Sequence, residues 1–255
     1  MLAKMKSSTY YFIGKLHPEE YCVNFNPREI LLPNGWVLDV FVSGISIWNP
    51  KVKEDFNFFS PIIREMLDTT VIAFNFLSGF NLKYTLHNWV EAKEVRSKEN
   101  IIGWIFPKGQ KFKKNTPSPR NKFNAKWRRA GKSCLAINKS IYHKIALRDY
   151  QNCIDAESDD RFFYAYRIVE DIRRAVTRKM RAGLDDKIYW ARMHKILGTN
   201  KSMIDPLTEV AEAVRHGDLT HNVVVNARKN SVQILGIGFD VMKREFKKSF
   251  KGLFN

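Results

Sequence analysis

The stretch "DDRFFYAYRIVEDIRRAVTRKM", residues 159–180, decides how the second half of the chain folds. Phe162, Ala165, Tyr166, Val169, Ile172 and Val176 recur at spacings of three and four, which places them on one stripe of an α-helix. Two aspartates lead the stretch, where carboxylates meet the positive end of the helix dipole. Such a stripe has to be buried against other elements, and the flanking sequence supplies helices. "SIYHKIALRDYQNCIDA" (140–156) precedes it; "DDKIYWARMHKIL" (185–197), "DPLTEVAEAVRHG" (205–217) and "NARKNSVQILGIGFDVMKREFKKSF" (226–250) follow, each read as one helix. The pattern predicts an all-α bundle over residues 139–255.

Upstream the period changes. "NGWVLDVFVSGISIW" (34–48) is rich in β-branched and aromatic residues, follows a Pro-Asn-Gly turn signal and reads as a strand. Val40, Val42 and Gly44 fall on one face, Phe41, Ser43 and Ile45 on the other. Both faces are fairly apolar, so the strand is expected to be covered on both sides. A helix follows, with Ser60 as N-cap and Pro61 as first residue. Ile62, Ile63, Met66, Leu67, Thr70, Phe74 and Leu77 form its stripe, and "SG" at 78–79 its stop. "FNLKYTLHNWV" (80–90) alternates Phe80, Leu82, Tyr84 and Leu86 against polar partners; "IIGWIF" (101–106) reads as a further strand. Residues 1–106 are therefore expected to be an α+β module. No internal repeat is evident.

Between the two lies "PKGQKFKKNTPSPRNKFNAKWRRAGK" (107–132), whose prolines, glycines and charges read as a long loop within a basic linker over 107–138. The charge is uneven. Of the net +17, residues 108–132 carry +10 and residues 243–251 carry +4. Concentrated cations suit a polyanion, because neutralised phosphates release counterions. Lys108, Lys111, Lys113, Lys114, Arg120, Lys122, Lys126, Arg128, Arg129 and Lys132 are the candidate nucleic-acid-binding residues. Trp127 joins them, since aromatics interleaved with cations can stack on unpaired bases. In the tail "MKREFKKSFKGLFN" the aromatics are expected to dock on the bundle with the lysines in water; membrane contact is the weaker alternative.

Cys22, Cys134 and Cys153 are odd in number and widely spaced, which suits buried thiols rather than a disulfide framework or a zinc site. His17, His87, His143 and His194 are isolated, so no metal site is expected, and no cofactor either. No apolar run reaches the length of a membrane span, and the N-terminal stretch lacks an apolar signal core. A cytoplasmic protein is the expectation.

Chemistry concentrates in "AVRHGDLTH" (213–221). A histidine exchanges protons near neutral pH, and an arginine fork can hold a phosphate and the charge that builds on it. The competing reading is structural: Arg215 and His216 at a helix end meet the negative pole of its dipole, and His221 serves a turn or cap. Glu170 and Arg174, four apart in "RIVEDIRR", either face the same site or form a solvated ion-pair surface.

"FFYAYRIVEDIRR", a tryptophan-bearing helix, "AEAVRHG" and a final long helix together resemble the HEPN superfamily, closest to its Apea-like and RHG-bearing bacterial branches. The resemblance covers roughly residues 140–250. It implies a helical bundle that commonly dimerises and a metal-independent endoribonuclease of a defence or toxin system. It also implies a catalytic set of Arg215, His216 and His221, with five residues between Arg215 and His221, joined by Glu170 and Arg174. The chain departs from the commonest form, in which "HG" closes the motif; there the arginine position is Ala211. The resemblance therefore implies an RNA-directed protein, with a homodimer and a regulatory partner as expected partners. A non-catalytic nucleic-acid- or partner-binding protein is the alternative.

Overall fold

The structure, a computed structural model, describes residues 10–17, 29–41, 44–52, 56–91, 120–180, 182–251 and 253. The chain divides into two compact units, Met1–Leu135 and Ala136–Asn255.

The first unit contains a five-stranded antiparallel sheet in the order β2-β3-β4-β1-β5. Its strands are β1 (Tyr10–His17), β2 (Glu29–Leu31), β3 (Val37–Phe41), β4 (Gly44–Trp48) and β5 (Lys83–Glu91), with helix α1 (Phe56–Ser78) between β4 and β5. The Pro-Asn-Gly signal makes the turn into β3, with Asn34 and Gly35 at φ 57° and 79°. The stretch read as one strand is a hairpin. Phe41 pairs with Gly44 and Val40 with Ile45, so Val40 and Ile45 share a face rather than opposing one another. The β-branched Val42 disguised this connection in the sequence. Both faces are buried all the same: Leu38, Val40, Ile45 and Ile47 on one, Val37, Asp39 and Ser46 on the other.

Helix α1 starts before the Ser60–Pro61 pair and carries Pro61 inside it. Its stripe is as expected except for Ile62, which is exposed. Gly79 ends it at φ 75°. Asn75 then fixes the entry to β5, donating to the Leu82 carbonyl at 2.8 Å and accepting from the Leu82 amide at 2.9 Å. Both bonds are buried, where an unmade one would cost about 1–3 kcal/mol. Residues 101–106 lie outside the described residues.

The basic linker is corrected in part, because α2 runs over Arg120–Ile137. Trp127, Ala130, Cys134 and Ile137 recur at helical spacing and are buried. The Trp127 ring stacks on Phe74 with centroids 4.0 Å apart. Gly131, taken as a loop signal, has a packing role. A β-carbon there would stand 2.2 Å from Ile30 Cγ2, so the helix backbone approaches β2 only because the residue is glycine. Amphipathic helicity was hidden by the Lys, Arg and Asn on the outer face.

The second unit is helical throughout its described residues. It comprises α3 (Ile141–Asp155), α4 (Asp160–Thr177), α5 (Asp186–Leu197), α6 (Lys201–Arg215), α7 (Asn222–Lys229) and α8 (Ser231–Ser249). Helix α4 is central and packs on α3, α5, α6 and α8, burying Phe162, Ala165, Ile168, Val169 and Ile172. The last helix of the sequence reading breaks in two at Asn230, where φ is −112° and ψ 28°. Asparagine competes with the helix for its own backbone hydrogen bonds, and its side chain here donates to the Asn226 carbonyl. No helix among the described residues is long and apolar enough to cross a membrane.

Trp127→Ala should destabilise the first unit by about 3–5 kcal/mol, the usual cost of emptying a buried aromatic site. Lys132→Ala, on the exposed face of the same helix, should change it by under about 0.5 kcal/mol. Chemical denaturation followed by far-UV circular dichroism would show equal effects if residues 120–137 were instead a loop.

Candidate functional site

Helix α6 begins at Asn200, whose side chain accepts from the Met203 amide at 3.0 Å. It ends in a Schellman turn: the Asp218 amide reaches the Ala213 carbonyl and the Gly217 amide the Val214 carbonyl, each at 3.0 Å. Gly217 makes this possible at φ 75°. His216 is therefore the C-cap of α6. Five residues on, His221 is the N-cap of α7, its Nδ1 accepting from the Val223 amide at 3.2 Å. "AVRHGDLTH" is thus a helix end, a tight turn and a helix start, with residues 215–221 exposed.

The turn is tied down from below. Arg228 on α7 donates to the Leu219 carbonyl at 3.2 Å and forms a bidentate pair with Asp159 at the start of α4. Asp159 is held below the usual carboxylate range, first by its hydrogen bond from Arg228 and against the opposing effect of burial.

Two of the predicted residues come together directly. Arg215 Nη2 lies 3.4 Å from His216 Nε2 and 3.8 Å from Glu212 Oε1. A guanidinium only donates, so His216 Nε2 accepts and its ring proton sits on Nδ1. In His221 the assignment is reversed: Nδ1 accepts, so Nε2 carries the proton. The two rings therefore hold opposite tautomers, and each leaves an N–H as its free position. Arg215 bonds to neither Nδ1 nor Nε2 of His221. Ala211 is 2% exposed; that position faces the core, so this fold offers no surface there for an arginine.

Glu170 and Arg174 separate. Arg174 bonds to Asp171 at 3.1 Å, and Asp171 is buried, where a charge-assisted bond is stronger than to a half-solvated Glu170. Glu170 instead faces Tyr166. The Tyr166 hydroxyl is pushed up, first by burial, then by the carboxylate of Glu170 and, more weakly, that of Glu212. The carboxylates of Glu170 and Glu212 thus both lie within electrostatic reach of Tyr166, and Arg174 stays with another cluster.

That cluster went unrecognised in the sequence. Asp149 on α3 is 1% exposed and meets Arg167 Nε at 3.1 Å. Burial pushes its carboxyl up to about 6; Arg167 opposes this and neighbouring Asp171 adds to it. Asp171 is raised too, chiefly by burial. The available signal was position: Asp149 sits between Ala146 and Cys153 on the apolar stripe of α3.

Of the basic candidates, Lys108, Lys111, Lys113 and Lys114 lie outside the described residues. Arg120 and Lys122 begin α2, Lys126 and Arg129 are half-buried on it, and Arg128 and Lys132 are exposed. Trp127 is corrected: at 2% exposure its ring belongs to the core and has no face for a base. Cys134 and Cys153 are buried free thiols. Among the described residues no group of three His, Cys, Asp or Glu could hold a metal ion.

Fold and site together define a protein with a small antiparallel sheet followed by a helical unit whose exposed polar corner joins two helices. Residues 130–248 match a family described as "Domain of unknown function (DUF8168) C-terminal domain", which covers the end of α2 and α3 to α8. No curated protein and no solved structure matches the chain.

Asp149 has a folded pKa above its ordinary 3.8, so its contribution to stability is present below that value and lost as pH rises through about 6. The second unit should lose on the order of 2–3 kcal/mol between about pH 4 and 7 from this group. Asp149→Asn should flatten that decline; an unchanged slope in denaturant titrations would remove the assignment. Arg228→Ala should speed amide exchange at residues 217–221 about tenfold or more, since it frees the Leu219 carbonyl and Asp159 together. Exchange read by mass spectrometry would stay at the wild-type rate if Arg228 does not hold the turn.

Proposed function

We propose that the chain is an RNA-directed, HEPN-like protein whose α6–α7 corner cleaves RNA without a metal ion. The observation that carries the reading is the contact of Arg215 with the exposed His216 at 3.4 Å, with the exposed His221 capping the next helix. In this mechanism Arg215 turns from His216 onto the phosphate, and the freed His216 Nε2 accepts the proton of a ribose 2′-OH. The 2′-oxygen forms a bond to phosphorus and the bond from phosphorus to the 5′-oxygen breaks. The His216 imidazolium returns that proton to the departing 5′-oxygen, and the neutral His221 ring donates its Nε2–H as a hydrogen bond to a phosphoryl oxygen. Arg215 balances the charge on the phosphoryl oxygens. The products are a 2′,3′-cyclic phosphate and a 5′-hydroxyl end, and no oxidant or further reactant enters. Glu170 acts on this set at a distance, through the field it shares with Glu212 at Tyr166. A bacterial defence or toxin setting, a homodimer that pairs two such corners, and restraint by a regulatory partner follow from the resemblance alone.

One observation favours a second reading, a non-catalytic binding protein. His221 Nδ1 is committed to a helix cap and Glu212 partly neutralises Arg215, so the same corner serves equally as a helix junction.

Purified protein incubated with labelled RNA in chelator should produce cyclic-phosphate ends. Arg215→Ala, His216→Ala and His221→Ala should each slow cleavage about 100-fold or more, as expected on losing a proton-transfer group or a charge-stabilising donor. RNA that is bound but uncut by the wild type would leave the binding reading standing.

A further inference from the structure

Two basic stretches far apart in sequence meet at the C-terminal end of α5. Arg244 on α8 donates to the Leu197 and Gly198 carbonyls at 3.3 and 3.2 Å, and Lys248 Nζ donates to the Ile196 carbonyl at 2.8 Å. These bonds cap the end of α5. They also bring the cations of α8 beside Lys195, which precedes Ile196. Only Met193 and Leu197 of α5 are buried, and its outer stripe carries Lys187, Arg192 and Lys195, all exposed. Lys247, one turn after Arg244, is exposed as well.

Four nearby acids are already engaged, while Asp205 lies within electrostatic reach of His194 on α5. Asp185 caps α5 through the Lys187 amide at 2.8 Å. Asp186 pairs with Arg173 and accepts from Trp190 Nε1 at 2.9 Å. Asp240 holds Arg244 at 2.6 Å, and Glu245 is buried against His143 at 3.1 Å. Among the described residues, Lys187, Arg192, Lys195 and Lys247 have no carboxylate partner. Three unneutralised cations on α5 and a fourth on α8, whose Arg244 and Lys248 reach the end of α5, concentrate positive charge that an external anion would offset.

We propose that the outer face of α5 and the adjoining stripe of α8 form one cationic track for the phosphate backbone of single-stranded RNA. The proposal rests on the RNA-directed reading but not on cleavage. The track lies at the start of α6, and α6's 15 residues set it about 20 Å from the α6–α7 corner. A bilayer is a poorer fit, because the aromatics that would enter it are used elsewhere. Phe246 is fully buried and Phe250 packs edge-on against His143 at 5.0 Å, while Arg173 covers one face of Trp190 at 4.9 Å. An acidic protein is a poorer fit too, since protein interfaces are built on an apolar centre and disfavour lysine.

The test is binding of a fluorescent oligouridine by the full chain, followed by anisotropy between about 50 and 200 mM salt. The quadruple variant Lys187→Gln, Arg192→Gln, Lys195→Gln and Lys247→Gln alters only exposed side chains, and an unchanged thermal midpoint confirms its fold. Its salt slope should be shallower by about 3, since each lost phosphate contact on a single strand removes about 0.7. Affinity near 100 mM salt should fall at least about tenfold. Wild-type affinity and slope in the quadruple variant would overturn the track. So would a wild type that binds no RNA, or a variant that loses only anionic phosphatidylserine vesicles and keeps RNA. A wild type that binds through the track but does not cut would sink the nuclease reading and leave the track intact.

Discussion

The helical unit depends on one close approach. A β-carbon on Gly238 would stand 2.5 Å from the Ala165 carbonyl oxygen, so α8 lies against α4 backbone to backbone. A glycine inside a helix costs about 1 kcal/mol relative to alanine. Here the cost is offset by the neighbours it allows to close, among them the fully buried Phe162, Met242 and Phe246. With α8 seated this tightly, α4 has a fixed partner on one side and can receive α3, α5 and α6 on the others. Where α6 ends, and so where Arg215 and His216 stand, follows from that arrangement. The first unit uses the same device at Gly131, which lets α2 settle onto β2.

Much of the positive charge has structural work, which changes what the composition means. Arg244 and Lys248 satisfy the last carbonyls of α5. Arg167 and Arg174 hold two buried aspartates between α3 and α4, and Arg228 pins a turn to Asp159. Each guanidinium spent on a carboxylate or carbonyl is one fewer for a ligand. The cations that remain without such duty are fewer than the net charge suggests, and they are grouped. A count of charge along the chain could not find that grouping, because α5 and the end of α8 are some fifty residues apart.

The sequence was readable where one physical rule acted alone. The stripe of α4, the Pro-Asn-Gly turn, and the glycine stops at Gly79 and Gly217 each follow from local spacing or from a left-handed φ. It was misleading where two rules competed. Residues 120–137 carry helix periodicity in Trp127, Ala130, Cys134 and Ile137, but lysines, asparagines and Gly131 gave the louder signal of a loop. Phe41 pairs with Gly44, but the sequence between them lacks the Gly or Asn that usually marks a hairpin, so two strands passed for one. Asp149 left no signal of its own, since burial of a lone carboxyl becomes visible only when the partner helix is known.

The corner at residues 213–221 shows why a motif does not settle a site. Spacing placed an arginine and two histidines close in sequence, and the structure gives each a capping or pairing task. Those same tasks fix the tautomers: the bond from Arg215 keeps the ring proton off His216 Nε2, and the cap at Val223 keeps it off His221 Nδ1. Structural duty therefore limits acid–base chemistry here: His216 Nε2 is a base only once Arg215 leaves it, and His221 offers a hydrogen-bond donor rather than an acid. The alternative alignment, with the arginine at 211, meets a different constraint. That residue lies in the packed interior beside Leu207 and Val210, and a guanidinium there would be a buried charge without a partner, at a cost of several kcal/mol. The fold selects alanine at 211 for packing, and any phosphate clamp at this corner has to come from Arg215.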